Sequence, residues 1–353
     1  EIQDHGRANV MGAVNMQGNR FATTQDIRSL QQRASRYARE AGGVPPLPRG
    51  LVNSDQFREE THRNIQSLGQ KTLNGSDFLA FNSAAEGMAL FISSECRAAF
   101  GHCSKYFVDA TFRVCPHPFR QLLTCSGQYG QQSVPLFWCL MSSKSAAAYR
   151  LAFREVNRVV TAQTGDCRLG GSVMTDFEEG LRGALRAEFA ADLAVDSLRG
   201  CVFHLHKSWY SHLRSLGLEA CYREEQTAAA GYSDENRWLH SCFGLCCLNP
   251  DEVRNAWVVL RAVAPRNNDA IQSFIEYLEA NYVLEGARFA PSSWAAFPSA
   301  DDGNGPGHNV HRTNNIAEGL HSSLGRHFGA SHPNINNFIS KLLEYDSSVL
   351  VKL

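Results

Sequence analysis

Three runs in quick succession limit this chain more than any other feature: Tyr106-Phe107-Val108-Asp109-Ala110-Thr111-Phe112, Gln121-Leu122-Leu123-Thr124-Cys125-Ser126 and Val134-Pro135-Leu136-Phe137-Trp138-Cys139-Leu140. Each has the length of a strand and is rich in aromatic and aliphatic residues, and three such neighbours predict an antiparallel meander. A helical pattern follows, with Tyr149, Phe153, Val156 and Val160 recurring every three or four residues. Gly171-Ser172-Val173-Met174-Thr175 then reads as a fourth strand ending on Asp176, with a helix over 177–189 behind it. Gly200-Cys201-Val202-Phe203-His204 reads as a fifth strand before a helix through Trp209 and Leu213. The order βββαβαβα predicts a mixed α/β sheet flanked by helices over residues 101–216.

The flanking segments read differently. Residues 217–305 show helical spacing without strand alternation, and a Gly/Pro/Asp-rich loop near 301–308 leads back into a helix from Asn314, so 306–353 is expected to complete the core. Residues 51–100 read as a helical lead-in. Residues 1–50 end in Gly42-Gly43-Val44-Pro45-Pro46-Leu47-Pro48, which cannot continue a helix and reads as a linker. That segment holds seven arginines and no lysine against four acids. Arg28, Arg33, Arg36 and Arg39 fall in one helical-looking stretch, which suits either a phosphate-facing stripe or an ordinary solvated face.

Overall charge gives no guide to a nucleic-acid partner, because 34 basic residues meet 35 acidic ones. No apolar run reaches the length of a membrane span. The eleven cysteines include no CxxC pair and are too sparse for a small disulfide scaffold, so free thiols are expected. The chain starts at Glu1 and stops inside an apolar stretch, the pattern expected of a piece of a longer protein.

Three acids stand out by position. Asp109 sits inside an apolar first strand, where a carboxylate is costly without a partner or a metal; alone, it suits an exposed edge position equally well. Asp176 ends a strand just before a helix, where side chains point into the crevice of an α/β sheet, and where Asp also serves as a helix N-cap. Glu318 lies on a helix whose apolar face is marked by Ile316, Leu320 and Leu324. Carboxylates converging from different elements are what a two-metal phosphoryl-transfer site requires, since two cations about 4 Å apart must be neutralised with positions left open for substrate oxygens.

Taken in order, these pieces resemble the Mutator-like element transposases, a family of DDE transposases with the ribonuclease H-like fold. The resemblance rests on Asp109-Ala110-Thr111-Phe112, on Pro135-Leu136, and on Thr175-Asp176-Phe177-Glu178. It extends to the CxxH of Gly200-Cys201-Val202-Phe203-His204 and to Arg312-Thr313-Asn314-Asn315 leading to Glu318 and His321. Ala110 departs from the family's usual glycine. The resemblance implies a ribonuclease H-like core interrupted by an α-helical insertion over 217–305. It also implies a catalytic triad of Asp109, Asp176 and Glu318 holding two Mg²⁺ or Mn²⁺ ions, and cleavage and strand transfer of double-stranded DNA at transposon terminal repeats. Homo-oligomers and a nuclear location in a eukaryotic host follow from the same resemblance, as do DNA contacts by Arg312, Asn314, Asn315 and His321. The family's usual N-terminal zinc-binding module is not visible, since residues 1–90 hold no cysteine and only His5 and His62.

Two features stay open at this level. Cys201 and His204 form half of a zinc site if Cys242, Cys246, Cys247 or His240 supplies the rest, but a buried cysteine and a packed histidine are favoured. Trp294, in a loop leading to the Glu318 helix, could stack on an unpaired base; anchoring the loop is the favoured role.

Overall fold

The computed structural model describes residues 55–193, 197–224, 231–266, 268–295 and 313–350. Arg28, Arg33, Arg36, Arg39 and Arg312 lie outside them. The chain enters through α1 (Asp55–Leu68), the hairpin of β1 (Leu79–Ser83) and β2 (Met88–Phe91), and α2 (Ser94–Phe100). The meander follows as β3 (Lys105–Thr111), β4 (Gln121–Tyr129) and β5 (Gln132–Met141). Next come α3 (Ala146–Thr164), β6 (Ser172–Thr175), α4 (Glu179–Glu188), β7 (Leu198–Gly200) and α5 (Val202–Ser215).

All seven strands form one sheet in the order β1-β2-β5-β4-β3-β6-β7. The first five are antiparallel to their neighbours, and β6 and β7 run parallel to β3. The switch follows from the connections. A loop over 112–120 joins β3 to β4 and a two-residue turn joins β4 to β5, whereas α3 and α4 carry the chain over the sheet before β6 and β7, as parallel pairing requires. Pro135 cannot donate to a ladder, and the register of β4 against β5 shifts beside it, between Cys125 and Ser126.

Alternation along the strands feeds two cores. Tyr106, Val108, Leu123, Cys125 and Leu136 face α3 and α4, packing on Phe153, Val156, Leu181 and Leu185. The opposite face offers Ala89, Phe91, Leu122, Trp138 and Leu140 to Ile65 of α1 and to α10 (Asn315–Phe328) and α11 (Ile335–Leu350). Residues 51–100, expected to be helical, thus hold a strand hairpin as well as two helices. Met88–Phe91 is buried at every position, a pattern that spacing alone cannot tell from a buried helix.

After α5 the described residues hold helices and no β-strand: α6 (Glu219–Tyr222), α7 (Asp234–Gly244), α8 (Pro250–Ala262) and α9 (Asp269–Leu278), which runs into a π turn at Glu279–Val283. They enclose a third core around Trp209, Trp238, Trp257, Phe274 and Trp294, to which α5 contributes Leu205, Trp209 and Leu213 from one face. No helix among the described residues is long and apolar enough to cross a membrane.

One carboxyl in the fold carries a prediction. Asp346 of α11 is buried, with Oδ2 unpartnered, a hydrogen bond from the Trp138 side chain and Glu95 as the nearby like charge. Burial pushes its pKa up to about 7 from 3.8. The folded state therefore holds this proton more tightly, so the stability tied to it is complete below about pH 4 and is lost as pH rises through about 7. Asp346→Asn should match the parent near pH 4 and exceed it at pH 8 by up to about 4 kcal/mol, at 1.36 kcal/mol per unit. Urea denaturation at the two pH values measures this; equal gaps at both would contradict it.

Candidate active site

Asp109 is the fifth residue of β3, on the same face as Phe107, and this parity turns it toward α10 rather than toward the α3 and α4 layer. Its cross-strand neighbour is Thr124 of β4. The Thr124 hydroxyl donates to the Asp109 carbonyl at 3.2 Å and lies 3.0 Å from His321 Nε2. The other ring nitrogen, His321 Nδ1, stands 3.8 Å from Asp109 Oδ2. Burial lowers the His321 pKa to about 4, so the ring is neutral near pH 7. The Asp109 carboxylate also accepts the N–H of Ala110 at 2.9 Å.

Asp176 follows the last residue of β6. Its Oδ1 accepts the Glu178 N–H at 3.0 Å, and Glu178, not Asp176, occupies the N-cap of α4. The turn is held from two sides. Gly200 makes room for Phe177, since a Cβ there would stand 2.2 Å from that ring. Arg182 is buried and donates to Thr175 Oγ1 at 3.1 Å and to the Leu198 carbonyl at 3.0 Å, tying β6 to β7 beneath the acid. Burial lowers the Arg182 pKa to about 10, which leaves the guanidinium charged, with Asp176 in its field.

Glu318 lies in the first turn of α10, its N–H bonded to the Asn314 carbonyl at 2.9 Å. Ala317 of the same turn packs on Phe107, Met174 and Cys201, seating the helix over the ends of β3 and β6. His321 is one turn further on, so α10 delivers an acid and a histidine to the same place.

Electrostatics join the three acids. Burial raises the Asp109 pKa to about 7, the Ala110 N–H opposes this, and the charges of Asp176 and Glu318 raise it further. The ammonium of Lys144 acts in the other direction, from a position 4.3 Å above the Phe112 ring and 3.9 Å from Glu178 Oε2. Three oxygen-donor carboxylates, one of them desolvated, suit a hard dication in donor chemistry. Among the described residues, however, no three His, Cys, Asp or Glu side chains are gathered into a ready-made ligand set. The carboxylates would have to turn toward one another to share an ion.

The remaining candidates are distributed unevenly. Trp294 is buried in the helical core with its Nε1–H on the Phe289 carbonyl at 3.1 Å, so it anchors its loop and presents no face to a base. Asn314 is also fully buried, which removes it from any DNA-facing surface, whereas Asn315 is exposed. His321 faces Asp109 rather than open solvent. Cys201 and His204 lie at the start of α5 and not in a strand, because β7 stops at Gly200. Cys246 neighbours His206, with Nε2 at 3.2 Å, and His240 stacks on Tyr222. Sequence reasoning did not single out Thr124, Lys144 or Arg182; a buried arginine on a helix carries no signal in spacing or composition.

Comparison with known proteins adds one finding. No curated protein and no solved structure matches the chain. Residues 105–208, from the start of β3 into α5, match the family model of the MULE transposase domain. The matched residues include the strand that carries Asp109 and the strand that leads to Asp176.

Proposed function

We propose that the chain is the catalytic part of a Mutator-like DNA transposase, cutting DNA phosphodiesters at transposon ends and joining the freed 3′-hydroxyl to target DNA. The observation that carries this reading is Asp109: a half-buried carboxyl inside an apolar strand, its pKa raised to about 7 by burial, in the field of acids from two other elements. A transposase domain implies a DNA substrate, and the strand order β5-β4-β3-β6-β7, antiparallel then parallel, supports a ribonuclease H-like core. The helices between α5 and α10 support an α-helical insertion, with its own core, spliced between the second and third acids.

Asp109, Asp176 and Glu318 would hold two Mg²⁺ or Mn²⁺ ions. Bound there, divalent cations supply charge for the attacking and leaving oxygens of an in-line displacement. The protein's part is positional. The Ala110 N–H holds the Asp109 carboxylate and Thr124 bonds its backbone carbonyl, Arg182 and Gly200 fix the turn of Asp176, and α10 sets Glu318. His321 faces this site as a hydrogen-bonding group without charge, so phosphate neutralisation falls to the cations and to Lys144.

The test is a nicking assay on a supercoiled plasmid carrying terminal-repeat DNA. The reading predicts cleavage in Mg²⁺ or Mn²⁺ and none in EDTA. Tight DNA binding without nicking in either metal would leave a DNA-binding relative, and nicking without joining of 3′ ends would leave a metal-dependent nuclease.

A further inference from the structure

The chain leaves the sheet at Gly200 and reaches Asn314 only after the whole helical segment, yet these two points must meet accurately if Glu318 is to stand beside Asp109 and Asp176. A helix returning after such an excursion needs an anchor in the sheet. Asn314 occupies the N-cap of α10 but caps nothing with its side chain, whose Oδ1 and Nδ2 are buried without partners. Its backbone N–H is engaged elsewhere: it donates to Cys201 Sγ at 3.2 Å, across 113 residues of sequence.

Cys201 is well placed to receive it. Its own N–H donates to the Thr175 carbonyl at 2.8 Å, continuing the β6–β7 ladder by one rung beyond the strand. Thr175 immediately precedes Asp176. The residue then occupies the N-cap position of α5 without a side-chain capping hydrogen bond, with the backbone N–H groups of Phe203 and His204 nearby. It is fully buried among Phe107, Met174 and Ala317, between the two strands that bring Asp109 and Asp176 and the helix that brings Glu318.

We propose that Cys201 is a positioning residue of the acid site: its sulfur, tied through its own backbone to the end of β6, receives the N–H of Asn314, the N-cap of α10, and so sets Glu318 against Asp176. A thiol suits this place because it is apolar enough for the surrounding cluster yet accepts hydrogen bonds weakly from several directions. The cysteine of the CxxH is thereby assigned a role that needs no metal. The functional consequence rests on reading Glu318 as a site acid, but the mechanical link does not, and the two are tested separately.

Hydrogen–deuterium exchange of the whole protein tests the link. In Cys201→Ala and in the volume-matched Cys201→Val, amides in the first turn of α10 should exchange about tenfold faster, the value of one hydrogen bond. Those of β3 and β6 should keep their rates, and Cys201→Ser, which retains an acceptor, should restore most of the protection. Parental rates in α10 of the Ala and Val variants would overturn the proposal. So would loosening that spreads equally through β3 and β6, or a Ser variant no better than Ala. In the nicking assay the Ala variant should lose rate at saturating DNA about tenfold with its DNA affinity unchanged, and Ser should recover it. Exchange that follows the prediction in a protein that never nicks would retire the transposase reading and leave the anchor standing.

Discussion

Asp109→Asn should abolish cleavage and at the same time make the metal-free protein more stable. A lost metal-ligating charge removes several kcal/mol of transition-state stabilisation, and at about 1.4 kcal/mol per tenfold this is a loss of roughly a thousandfold. The stability effect has the opposite sign. Because the folded-state pKa is raised from 3.8 to about 7, the stability tied to this carboxyl is complete below about pH 4 and is lost as pH rises through about 7. Asparagine has no charge to desolvate and none to set against Asp176 and Glu318. The variant should therefore equal the parent at pH 4 and exceed it at pH 8 without metal by up to about 4 kcal/mol. Adding Mn²⁺ should narrow the gap, since ions stabilise only the form that binds them. A variant that is inactive and also less stable at pH 8 would mean that Asp109 is a structural residue whose charge the fold needs.

Trp209→Ala should cost about 3–5 kcal/mol, the range for emptying a buried tryptophan site. The ring is fully buried and meets Phe243, Tyr282 and Trp294 edge-on, with centroids 5.6, 5.4 and 5.6 Å away. Its Nε1 has no partner, so the loss is one of packing rather than of a hydrogen bond. The same helix carries Cys201 at its N-cap, which makes α5 common to the helical core and the acid site. Urea denaturation followed by circular dichroism should show the transition of the helices moving to lower urea; a change under about 1 kcal/mol would show that the cluster tolerates the cavity.

Much of this architecture is legible in the sequence because β3, β4 and β5 are strand-length runs rich in aromatic and aliphatic residues. β3, β4 and β5 and the spacing of α3 could be read directly, and the helical character of the segment after α5 followed from the absence of alternation. The hairpin of β1 and β2 could not. Leu79–Ser83 has five residues and Met88–Phe91 four, too few to be told from a helical segment by composition. Cys201-Val202-Phe203 resembles strand by composition, yet the strand stops at Gly200 and the chain turns into α5 with Cys201 at the N-cap position. Asp109, Asp176 and Glu318 were recognisable as an ordered set of acids in the right elements, whereas Thr124, Lys144 and Arg182 act through cross-strand and cross-element contacts that no local pattern announces. Asn314 and Trp294 show the converse: polar and aromatic types that suit a DNA contact, both buried by the packing around them.

The central claim is that Asp109, Asp176 and Glu318 act as one cation site. Mn²⁺ titration by calorimetry, run on the parent chain and on Asp109→Asn, Asp176→Asn and Glu318→Gln, addresses it most directly. The account predicts measurable binding to the parent and weaker binding to all three variants, because ligands from β3, the end of β6 and α10 share the same ions. Binding that is unchanged in any one of them would take that acid out of the site, and Mn²⁺ affinity indifferent to all three would contradict the account.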